Sequence, residues 1–141
     1  MKLVMKLVPI SLVAVLSLLL LASASAANAA TTCAPASNAG CDLSVSVSGV
    51  PATATRGQSI NLTETVTGPA NQAVTLTNVL QYPSGKQFSS VESVVLDANG
   101  QYVYQFSYKV DRNGPKGTYT LTVSATDASG TASTSASTVV Q

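Results

Sequence analysis

The chain has 141 residues, with seven basic and six acidic side chains, no histidine and two cysteines. Charged residues make up only 9% of it, so it lacks the basic stripe that nucleic acid or an anionic membrane surface would need. Without histidine, neither a Ser-His-Asp nor a Cys-His catalytic arrangement can be built, and two cysteines alone do not make a zinc site.

The first 29 residues read as a secretory signal peptide. Lys2 and Lys6 precede an apolar run from Leu7 to Leu21, and small residues follow. Ala24-Ser25-Ala26 and Ala27-Asn28-Ala29 are two A-x-A sites, so cleavage is expected after Ala26 or after Ala29. The alternative is an uncleaved anchor, for which the apolar run is short. Export places the protein outside the cytoplasm, secreted, at the cell surface or in a periplasm, with no membrane association once the leader is removed. The remaining chain has five bases and six acids.

Residues 30–42 are small and polar and read as a tail. In an oxidising compartment Cys33 and Cys41 are expected to pair. The loop they close is short, worth ~2–3 kcal/mol where the segment is ordered.

Residues 43–141 alternate apolar and polar side chains. Leu43, Val45 and Val47 oppose Ser44, Ser46 and Ser48 up to Pro51, and Arg56-Gly57-Gln58 turns the chain. From Ser59 to Thr67, Ile60, Leu62 and Val66 share a face with Glu64. From Ala73 to Tyr82, Val74, Leu76, Leu80 and Tyr82 share one with Asn78. Phe88 to Leu96 is less regular and predicts one or two short strands. Tyr102, Tyr104, Phe106, Tyr108 and Val110 form the clearest row, followed by Tyr119, Leu121, Val123 and Ala125. The last strand, Thr131 to Val140, is thinly apolar. Period-two alternation marks half-buried strands, and no stretch keeps a helical period. The expected class is all-β: an antiparallel sandwich of about seven strands.

Three segments with related composition interrupt the strands: Asp97-Ala98-Asn99-Gly100, Asp111-Arg112-Asn113-Gly114 and Asp127-Ala128-Ser129-Gly130. A calcium loop needs several oxygen ligands on one ion, and each segment supplies one carboxylate. Turn chemistry explains the same letters, since Asp accepts backbone hydrogen bonds and Gly adopts positive φ. Asp97, Asn99, Asp111, Asn113 and Asp127 are therefore predicted as turn residues. The alternative is two turns sharing an ion at one end of the sandwich. No resident metal or cofactor is expected.

The stretches GVPATATRGQSINLTETVTG (Gly49 to Gly68), DANGQYVYQFSY and GTYTLTVSATDASGTAS (Gly117 to Ser133) resemble Ig-like domains of bacterial and archaeal surface proteins. The similarity spans about Leu43 to Val140. It implies an Ig-like or fibronectin-III-like sandwich in a spacer, adhesin or filament role. Tyr119, after Gly117-Thr118, resembles the buried tyrosine that pins a sandwich corner. Some relatives crosslink a lysine to an asparagine beside a buried acid. That would need an inward lysine, and Lys109 falls on the face opposite the aromatic row.

Glu64 and Asn78 interrupt apolar faces and are expected near a sheet rim, reaching water or backbone partners. The aromatic row is expected to be core, with Tyr82 and Tyr108 as ligand-facing candidates. Threonine and serine rows suit a wet strand face and, alternatively, a surface lattice. Asn61-Leu62-Thr63 is a formal glycosylation sequon. The last strand offers an edge to another copy. The expected function is adhesion or assembly through a protein partner or self-association at strand edges, with surface polysaccharide as the alternative ligand. An enzyme or inhibitor is least favoured, and no catalytic residue is assigned.

Overall fold

The computed structural model describes residues 32–35 and 41–141. The leader with its two cleavage sites lies outside the described residues. So does the Cys33 side chain, and with it the expected Cys33–Cys41 bridge.

The described chain is all-β, with strands β1 (Thr32–Pro35), β2 (Ser44–Ser48), β3 (Thr53–Ala54), β4 (Ser59–Thr67), β5 (Ala73–Gln81), β6 (Gln87–Val95), β7 (Gln101–Lys109), β8 (Gly117–Thr126) and β9 (Gly130–Val140). They form two sheets. The smaller is ordered β2-β4-β7, and the larger is β1-β9-β8-β5-β6, with β3 also on β9. After β2 the chain crosses layers through Gly49 to Pro51, so β3 runs parallel to β9, pairing Thr53 with Val139. All other pairs are antiparallel.

The alternation read from sequence places the core. Val45, Val47, Leu62, Val66, Leu76 and Val123 are all buried between the layers. Each fully buried Val or Leu contributes ~1.5–3 kcal/mol. Tyr119 is buried, and its hydroxyl donates to the Pro115 carbonyl at 2.9 Å, four residues upstream. This is the corner pin that the sequence suggested. At the opposite end, Gly68 donates to the Gly100 carbonyl at 2.9 Å. Gly100 has φ 72°, and a Cβ there would run into the Gly68 carbonyl, so two backbones meet where no side chain fits.

Several expectations change. The tail contributes β1, and a short strand, β3, lies between Pro51 and the Arg56-Gly57-Gln58 turn, where none was expected. The irregular Phe88 to Leu96 region is one nine-residue strand, β6, in unbroken register with β5. Its period is masked because Val91 and Val95 are apolar on the outer face. The last strand is not an edge: β9 has β8 on one side and β1 and β3 on the other.

Candidate functional site

The two layers close unevenly. β2 lies over β8 and β9, and there the inward side chains are buried. At the other side β6 ends the larger sheet and β7 ends the smaller one, with no strand beyond either among the described residues. A groove of about 380 Å³ opens between them. Leu80 and Tyr82 on β5, Phe88 and Glu92 on β6, and Tyr104 and Tyr108 on β7 are among its walls.

Strand parity explains the lining. Tyr102, Tyr104, Phe106 and Tyr108 fall on the inner face of β7, as the sequence predicts. Because β7 is an edge, the row is only partly covered: Tyr102, Phe106 and Tyr108 are half-buried and Tyr104 is 41% exposed. The row expected as core is divided: Tyr102, Phe106 and Tyr108 pack against the core, and Tyr104, Phe106 and Tyr108 line the groove. Both ligand-facing candidates, Tyr82 and Tyr108, line it. Burial pushes the Tyr108 hydroxyl up to about 12, helped by the nearby Tyr82 and a hydrogen bond to it. The Tyr82 ring meets Tyr119 edge-on with centroids 5.3 Å apart.

Glu64 and Asn78 are not at a rim. Glu64, on the inner face of β4, is fully buried, and Asn78 on β5 crosses the layers to donate from Nδ2 to Glu64 Oε2 at 3.2 Å. Glu64 Oε1 and Asn78 Oδ1 are both buried without a hydrogen-bond partner. Burial raises the Glu64 pKa above the usual carboxylate range. The Asn78 hydrogen bond opposes this, and the Glu92 charge adds to it. While Glu64 is ionised, both orphan oxygens only accept; a proton on the carboxyl turns one into a donor. Asn78 also lines the groove, so this polar pair sits beneath an otherwise apolar floor.

The turn aspartates fold back on their own loops. Asp97 Oδ1 accepts from the Asn99 and Gln101 amides at 2.8 and 2.9 Å, and Asp111 Oδ1 from Asn113 at 2.9 Å. Asp127 Oδ1 accepts from the Ser129 amide and hydroxyl at 2.7 and 2.6 Å, and from Gly130 at 3.1 Å. Burial raises the Asp127 pKa, but these bonds outweigh it and leave the carboxyl below its usual range. No group of three or more metal-ligating side chains occurs among the described residues.

Asn61 is exposed on the outer face of β4. The threonine and serine rows also face outward. On the larger sheet they pair with each other, as in Thr120 with Ser137 at 2.9 Å and Thr122 with Ser135 at 2.8 Å. Lys109 is exposed on the outer face of β7, opposite the face that carries the aromatic row. Sequence reasoning missed Phe88 and Glu92 as groove residues. Their even-numbered spacing was present, but nothing in the sequence says that β6 has no outer neighbour.

No family model matches the chain, and no curated protein matches it. Solved structures share its fold. A β-glucosidase from Listeria innocua in complex with isofagomine superposes with a TM-score of 0.51 at 14% identity, over 70% of this chain and 16% of that one. A mutant of a β-glucosidase from the same organism, in complex with laminaribiose, gives 0.50 at 15% identity over the same shares. The chain thus spans a small part of those enzymes, and the likeness is one of fold alone.

Proposed function

We propose that this is an exported, Ig-like binding module that joins another protein chain through its open β6–β7 side. Three features support the Ig-like reading: two packed, mainly antiparallel sheets, a chain that switches layers between β2 and β3, and a tyrosine-pinned corner. One observation carries the functional reading. Phe88, Val91, Val95, Val103 and Tyr104 are five of the six large apolar side chains left exposed among the described residues, and all five lie on β6 or β7. Phe88 and Tyr104 face the groove while Val91, Val95 and Val103 lie on the outer faces, and exposed apolar residues gathered on two adjacent edge strands, unlike ones scattered singly, mark an interaction surface. Unpaired N–H and C=O groups on such edges accept an added strand.

The test is a photo-crosslinking residue placed at Val91 in the exported chain in its native cells, with a control at Ser46 on the outer face of β2. The reading expects a discrete protein adduct from position 91 and none from position 46. No adduct at 91, or equal labelling at both, overturns it.

A second reading is a saccharide in the groove. Its support is the wall of Tyr82, Phe88, Tyr104 and Tyr108, which offers apolar ring faces with hydroxyl tips. A glycan array with the exported chain separates the two, since saccharide binding should be lost in Tyr104→Ala.

A further inference from the structure

We infer that the partner at the open side is a second copy of this chain, joined edge to edge about a two-fold axis so that β6 of each copy pairs with β7 of the other. This rests on the reading of the β6–β7 side as the binding side and names its occupant.

The geometry begins with the two edges. β6 and β7 are each nine residues long, and they end different layers on the same side of the sandwich. The Leu96–Gly100 turn joins them, so they run in opposite directions. Rotating a copy by half a turn about an axis parallel to the strands exchanges the layers and preserves strand direction. Its β6 then lies beside β7 of the first copy, antiparallel and in the same layer, with both inner faces pointing inward. The same operation joins the other pair. A two-fold interface must be self-complementary, and this one uses both open edges at once.

The register follows from length and parity. Full overlap sets Gln101 to Lys109 against Val95 to Gln87 of the second copy. Inner residues then meet inner residues: Tyr104 faces Glu92, Phe106 faces Ser90, and Tyr108 faces Phe88. The two grooves merge into one apolar layer.

Charge favours this pairing over that of β6 with itself. β6 carries one charge, Glu92, and β7 carries one, Lys109. Antiparallel pairing of β6 with its own copy sets each Glu92 opposite Ser90 and brings the two carboxylates to neighbouring positions on one face. The mixed pairing sets no like charges opposite each other. Just beyond the strands, Lys86 of one copy comes within one register position of Asp111 in the other.

The edges also lack the usual blocks. Neither strand contains proline, and β6 has no lysine and pairs with β5 without a bulge. The other side of the sandwich is defended: β9 is covered by β1 and β3, and β2 is five residues long and exposes serines.

The test is sedimentation velocity of the exported chain over a concentration series, with substitutions at Tyr104, which is exposed enough to accept them. The wild type should show a monomer–dimer equilibrium. Tyr104→Glu sets a carboxylate against Glu92 and should weaken dimerisation by about tenfold or more. Tyr104→Lys sets an amine against Glu92 and should dimerise at least as well as wild type. Circular dichroism confirms that both variants fold. A wild type that stays monomeric at about 1 mM overturns the inference, as does equal weakening by both substitutions. A crosslink from Val91 to a different protein would sink the self-pairing and leave the binding side standing. The absence of any crosslink would sink both.

Discussion

The two sides of the sandwich are built from the same kind of strand and end differently. On the β2–β9 side, every second residue is buried: Val45 and Val47 on β2, and Ala132, Thr134, Ala136, Thr138 and Val140 on β9. On the β6–β7 side β7 alternates as regularly, yet Val94 is the only buried residue in either strand. The side chains are larger and more aromatic there, so poor hydrophobicity is not the cause. What differs is coverage, since each strand on the open side has a neighbour on one edge only. Amphipathic strands bury their apolar face only where the opposite layer extends over it.

Four experiments sharpen or break that contrast. The largest effect is expected on the closed side, where Leu76→Ala removes a fully buried side chain and should cost ~2–5 kcal/mol in urea denaturation. A loss below about 1 kcal/mol would mean that the closed side is packed no better than the open one. Next, Tyr119→Phe removes the hydroxyl that pins the corner to Pro115, with an expected loss of ~0.5–1.5 kcal/mol by the same measurement.

The third concerns pH. Glu64 holds its proton more tightly in the folded chain than in the unfolded one, where its value is near 4.5. The folded state therefore binds more protons above that pH. Stability should fall as pH rises from there through the raised folded value, and Tm should drop accordingly. Glu64→Gln should flatten that part of the profile, whereas an unchanged slope would show that Glu64 titrates alike in the folded and unfolded chains. Asp127 acts in the opposite sense. Its stabilisation is present above the ordinary aspartate range and is lost as pH falls through its lowered folded value. The smallest effect is expected at the open side: Phe88→Ala should change monomer stability by less than about 0.5 kcal/mol, measured in dilute solution. A larger loss would make Phe88 part of the core and remove it from the groove mouth.

Much of this was legible beforehand because strand parity is a local property. Once Val45, Leu62, Leu76 and Val123 are read as inward, every second neighbour follows, and the turn aspartates follow from Asp-x-Asn-Gly or Asp-x-Ser-Gly chemistry within four residues. The groove was half legible. Tyr82 and Tyr108 stood out as ligand-facing tyrosines, but Phe88 and Glu92 were hidden in a strand with apolar residues on both faces. The buried acid was recognised as an interruption and then misplaced, because the row containing Glu64 does not say which layer lies opposite.

By itself, then, the amino-acid order determined the class of structure, the inward face of nearly every strand, and the turns between them. These depend on residues a few positions apart, where backbone geometry and alternation leave little choice. The tertiary structure alone decided which strands became edges, that Glu64 meets Asn78 across the layers, and that β9 is covered while β6 and β7 are not. Those outcomes depend on contacts between segments tens of residues apart, and the pairing order of strands is not written in the period of any one of them.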